Sequence, residues 1–61
     1  MKDTIIIKVE EVEFVFGKMV RFWKGDNVLV QVGLNRVVEE MNALTNYYNN
    51  IEGVIVLFAI K

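Results

Sequence analysis

Apolar and polar positions alternate with a period of two along the first half of the chain. Ile5, Ile7 and Val9 share one parity, and Val12, Phe14 and Phe16 share the other. Such alternation marks strands with one buried face. The change of parity at Glu10-Glu11 predicts a β-bulge within one long strand, or a bend between two. Gly17-Lys18 fits a two-residue hairpin loop in which glycine supplies a positive φ. Lys24-Gly25-Asp26-Asn27 is a second turn signal, between the apolar segments 19–23 and 28–32. Three antiparallel strands in a meander follow.

After Gly33 the period becomes helical. Leu34, Val37, Val38, Met41, Leu44, Tyr48 and Ile51 form one stripe, with Arg36, Glu39, Glu40, Asn42, Asn46, Asn49 and Asn50 largely on the other side. Asn35 or Gly33 is placed as N-cap, and Gly53 to end the helix in a left-handed conformation. Residues 54–60 are apolar at every position, the pattern of a strand covered on both faces. The predicted fold is α+β, in the order β-β-β-α-β: a mainly antiparallel sheet of three or four strands with one helix on a face. A right-handed crossover returns the last strand parallel to the third. Lying beside the first strand it gives the order 3-2-1-4 and becomes an edge.

Hairpin register extends this reading to the two faces of the sheet. With Gly17-Lys18 as the loop, Phe14 opposes Arg21 and Val12 opposes Trp23; with Gly25-Asp26 as the next, Trp23 opposes Val28 and Arg21 opposes Val30. One face then holds Val12, Phe14, Phe16, Met19, Arg21, Trp23, Val28, Val30 and Val32, and is the expected seat of the helix. The other holds Val15, Val20, Phe22 and Leu29 within a charged rim that includes Glu11 opposite Lys24. A contiguous apolar patch with a polar rim reads as an interaction surface. An apolar edge strand is an aggregation hazard unless it is paired. Both features predict a homodimer, with Val15, Val20, Phe22, Leu29, Val54, Val56 and Phe58 at its interface.

Composition narrows the function. The 61 residues include no Cys, His or Pro. Disulfides, the usual zinc, haem and iron–sulfur sites, and catalysis by a His base or Cys nucleophile therefore drop out. Nucleotide-binding and hydrolase motifs are lacking too. No cofactor, no metal and no enzymatic activity are expected. Glu10, Glu11, Glu13, Glu39 and Glu40 read as solvated charge. The apolar runs are too short for a membrane span, so the expected location is the cytoplasm. Seven basic against eight acidic side chains, net −1, select neither a polyanion nor a polycation as partner.

Phe, Tyr, Met, Ile, Asn and Lys total 26 residues, while Gly, Ala, Arg and Pro total 8. That skew follows AT-rich codons and points to low-GC bacteria or their phages. Together with the small size, it favours a non-enzymatic binding protein: a phage or mobile-element inhibitor that docks on a host protein, or sequesters a small ligand, in the host cytoplasm. The alternative is a small nucleic-acid-binding module using the sheet. Candidate contact residues for a ligand or partner are Arg21, which can stack on neighbouring aromatics, Trp23, Lys24 and Asp26 at the second turn, and Tyr47. Of the Tyr47-Tyr48 pair, about 100° apart on a helix, Tyr48 follows the stripe and Tyr47 faces solvent.

Overall fold

A computed structural model describes residues 3–61. Strand β1 (Thr4–Phe14) pairs antiparallel with β2 (Gly17–Lys24), and β2 with β3 (Asn27–Gly33). A single 3-10 turn, Leu34–Arg36, leads into α1 (Val37–Tyr47). The helix widens into a π turn at Tyr48–Glu52 and stops at Gly53, whose φ of 69° and ψ of 30° are the left-handed cap expected there. Strand β4 (Ile55–Ile60) then lies parallel to β1, giving the order β3-β2-β1-β4. The sheet is mixed: two antiparallel pairings and one parallel. The last strand takes the position beside the first that the crossover rule offered it. No helix among the described residues is long and apolar enough to cross a membrane.

The helix covers the face opposite to the one expected. Ile7, Val20, Phe22 and Tyr48 are the buried side chains, with Ile5, Val9, Val30, Val32, Val37, Met41, Leu44, Val54, Val56 and Phe58 packed against them. Phe22 meets Phe58 edge to face, with ring centroids 6.2 Å apart. Cross-strand register explains the cluster: Phe22 lies between Val9 and Val30, and Ile7 sits beside Phe58. Val20 and Phe22 thus belong to the core. The face bearing Val12, Phe14, Met19, Arg21, Trp23 and Val28 carries no helix.

Three local features produced the reversal. First, β1 runs its full eleven residues without a bulge at Glu10-Glu11. Its parity change is instead a change in which face is apolar: Ile5, Ile7 and Val9 lie under the helix, while Val12 and Phe14 point the other way. Second, the hairpin loop is Val15-Phe16, not Gly17-Lys18. Phe14 pairs with Gly17, so Val12 opposes Met19 and Arg21 opposes Glu10. Gly17 follows the loop with a φ of 135°, taking the backbone conformation that Val15 and Phe16 avoid. Phe16 folds back to stack on Phe14, centroids 5.2 Å apart and planes 7° from parallel. Third, the bulge occurs in β3: Phe22 pairs with Val30 and Trp23 with Val28, leaving Leu29 as the extra residue. Arg21 therefore opposes Gln31, not Val30, and the expected Glu11–Lys24 pair is replaced by an ion pair of Glu11 with Lys18 at 3.0 Å.

The helix stripe is narrower than its sequence pattern. Val37, Met41, Leu44 and Tyr48 face the sheet, whereas Leu34, Val38 and Ile51 are exposed. Leu34 lies in the 3-10 turn and Ile51 in the π turn, and Val38 lies about 100° round the helix from Val37, so none of the three shares the sheet-facing seam. Strand β4 is likewise covered on one face only, since Ile55 and Leu57 stay exposed beside Thr4 and Ile6. The result is a slim molecule of 44 × 21 × 15 Å. At about 3.3 Å per residue, β1 spans roughly 36 Å of that length.

Phe22→Ala is expected to cost about 3–5 kcal/mol, comparable to the whole stability of so small a fold. Urea unfolding should then lose its cooperative transition. Val38→Ala, at a site 70% exposed, should shift the midpoint by less than about 0.5 kcal/mol equivalent.

Candidate functional site: the bare face of the sheet

Side chains alternate along strands, so the uncovered face can be read from the register. Strand β1 contributes Thr4, Ile6, Lys8, Glu10, Val12 and Phe14; β2 contributes Met19, Arg21 and Trp23; β3 contributes Val28 and Gln31; β4 contributes Ile55, Leu57 and Ala59, with Lys61 continuing it. Ile6, Val28, Ile55 and Leu57 are 42–53% exposed. Ile6, Ile55 and Leu57 lie together at the start of the β1–β4 ladder, and Val28 lies beside Trp23, which anchors a polar–aromatic group.

That group is built on Trp23. Its indole Nε1 donates to Glu10 Oε1 at 3.0 Å, and Lys61 Nζ stands 4.3 Å from the ring centroid. An ammonium there is attracted by the negative face of the indole ring. Lys61 is brought to this point by the parallel ladder, since its backbone N–H donates to Val9 O at 2.9 Å. A second group lies toward the β1–β2 loop. Arg21 Nε donates to Gln31 Oε1 at 2.8 Å, and its guanidinium carbon is 5.8 Å from the Phe14 ring centroid. Phe14 in turn stacks on the exposed Phe16, so aromatic surface continues to the loop tip. Arg21 therefore stacks on an aromatic neighbour on this face, away from Glu39, whose ion pair is with Arg36 at 3.5 Å.

Charge is divided unevenly between the two sides. Three bases and one acid (Lys8, Arg21 and Lys61 with Glu10) give the bare face a net charge of +2. The other described residues carry three bases and seven acids, net −4. Glu11 and Glu13 project to the helix side. No signal in composition or spacing reveals this polarity, because it depends on which parity of β1 the helix covers.

The remaining sequence candidates separate. Trp23 and Arg21 come together on the bare face. Lys24 lies on the opposite side, its Nζ 5.3 Å from the Tyr48 ring centroid, and Asp26 is exposed in the β2–β3 turn. Tyr47 is exposed and meets Tyr48 edge to face at 5.1 Å. Of the expected interface residues, Val20 and Phe22 are core, Val54, Val56 and Phe58 pack partly against it, and Val15 and Leu29 are exposed. Phe22→Asp would therefore unfold the chain instead of probing an interface. Sequence reasoning missed Glu10, Gln31 and Lys61.

On the helix side, an open groove of about 620 Å³ lies between Leu34 and Val37 of the helix start and Val9, Val20 and Ile60 of the sheet. It holds no buried polar side chain, and no group of acidic residues among those described is arranged to hold a metal ion. Comparison of the chain with protein families, with curated proteins and with solved structures finds no match.

The Trp23–Glu10 bond is testable without a partner. Glu10→Ala leaves the indole N–H to water and should cost about 0.5–1.5 kcal/mol in denaturant unfolding followed by circular dichroism. A double-mutant cycle with Trp23→Phe assigns the coupling to this pair; a coupling energy below about 0.3 kcal/mol would mean that the bond is not held in solution.

Proposed function

We propose that this chain is a non-enzymatic binding protein that docks on a protein partner with the bare face of its sheet. The observation that carries the reading is a sheet with its helix on one side and Ile6, Val28, Ile55 and Leu57 exposed on the other, the face that also bears Trp23. Interfaces of this kind take aromatic and arginine anchors at their centre and a polar rim around them. Trp23 and Arg21 fill the first role, Lys8, Gln31 and Lys61 the second. The net charge of +2 selects a partner surface that is apolar with an acidic border. An inhibitor docking on a host protein is the form of this reading that the small size and the AT-rich composition favour.

The test is affinity capture with variants of the two sides. Val28→Asp and Trp23→Ala should abolish capture of a partner that the wild type retains, while Val38→Asp on the outer helix surface should leave it unchanged. Equal loss from both sides, or none from either, would sink the reading.

One observation favours a second reading. Trp23 and Phe14 share their face with Lys8, Arg21 and Lys61, the combination by which a sheet stacks and neutralises unpaired nucleotides. On that reading a single-stranded oligonucleotide quenches Trp23 fluorescence. Three phosphate contacts would give a log–log salt slope of about −2. Absence of quenching at low salt would remove it.

A further inference from the structure

We infer that the outer edge of β4 is a homodimerisation site, at which a second copy of this chain adds its own β4 antiparallel, centred on Phe58. The backbone supports this directly. Ile55 N donates to Asp3 O at 2.8 Å and Lys61 N to Val9 O at 2.9 Å, so odd-numbered residues of β4 direct their N–H and C=O groups to β1. Direction alternates along a strand. The N–H and C=O groups of Val56, Phe58 and Ile60 therefore point outward, along an edge with no further strand among the described residues.

Those three residues are self-complementary. Antiparallel pairing of identical strands about a two-fold axis normal to the sheet opposes Phe58 with Phe58 of the second copy, and Val56 with Ile60. Each pair exchanges two hydrogen bonds, and all three outward residues are satisfied. The strand carries no charge, bulge or proline to oppose this, and such features are the usual guards of a free edge.

The side chains agree with the backbone. Ile60 is 85% exposed, and beside it Val9, Met41, Phe58 and Ala59 line an apolar groove of about 270 Å³. In the Phe58-centred register Val56 of the second copy lies against Ile60. The accessible surface, 4443 Å², exceeds the roughly 4,100 Å² of an average monomer of this mass, and the radius of gyration is 12.1 Å against about 10.5 Å for a typical domain of this length. A second copy is the occupant that supplies an identical, correctly phased strand. Both helices fall on one side, and the two bare faces become one eight-stranded surface.

Sedimentation across the micromolar range, combined with amide hydrogen exchange of the wild type, tests the pairing. The expected result is a concentration-dependent dimer in which the amides of Val56, Phe58 and Ile60 exchange about tenfold or more slowly than in dilute solution. A monomer throughout, or a dimer in which these three amides stay unprotected, would overturn it. Ile60→Pro removes an outward N–H without touching the β1 ladder. It should weaken association about tenfold or more with unchanged circular dichroism; a folded Ile60→Pro protein that dimerises like the wild type also overturns the proposal.

Discussion

The packing of Tyr48, Leu44 and Met41 onto Ile7, Phe22 and Phe58 is the contact on which the rest of the structure depends. It joins the two ends of the chain's path: β1 and β4 come together in parallel because the crossover from β3 passes over Phe22 on its way. Four side chains among those described are buried, so there is little redundancy. A helix this short holds its position through an apolar seam, not through intrinsic helicity. The seam is Val37, Met41, Leu44 and Tyr48, and the wide turn at Tyr48–Glu52 brings the chain down from it to the left-handed Gly53.

One helix can cover only one side of a sheet. The exposed face is therefore a consequence of the architecture, and its composition is where a binding role must be sought. A solvated antiparallel sheet usually alternates apolar inside and polar outside. Here β1 follows that rule poorly, with Ile6, Val12 and Phe14 on the outer face, and β4 does not follow it at all. The bases Lys8, Arg21 and Lys61 are distributed among these apolar residues, while most acids lie on the helix side. On the proposed reading, a surface of mixed apolar and basic character backed by an acidic layer suits an acidic partner surface.

The element order, the second hairpin, the crossover and the left-handed end at Gly53 were legible because each rests on local chemistry: glycine at turns, period two, then period near 3.6. The choice of covered face was not. Both faces of β2 are apolar, Val20 and Phe22 against Met19 and Trp23, so periodicity could not decide between them. The decision lies in β1 and β3. Ile5, Ile7 and Val9 outweigh Val12 and Phe14 because the crossover brings β4 alongside the first three. In β3 the bulge at Leu29 turns Val30 and Val32 to the side of Phe22. A loop of Val15-Phe16, without the glycine that a two-residue hairpin ordinarily demands, hid the first register. The Trp23 centre was half visible for the same reason: its parity with Arg21 and Phe14 survives an even register shift, whereas Glu10 and Lys61 enter only through the true register and the parallel ladder.

The two edges of the sheet are not equivalent, and the difference bears on how far association can run. Strand β3 carries a bulge that interrupts its ladder and the polar side chains of Asn27 and Gln31. Strand β4 is unbulged and uncharged, and its outward groups are in phase with a second copy of itself. A chain with two open edges would add copies without limit, because each addition exposes another edge. With one edge guarded, antiparallel β4 pairing about a two-fold axis closes after a single step, since both participating edges are consumed. In the proposed dimer, the bulge that decides which side chains of β3 reach the core would also confine association to the opposite side of the sheet. A substitution that straightened β3 would act on both at once, returning Val30 and Val32 to competition for the other face and opening a second edge to fibre-like addition.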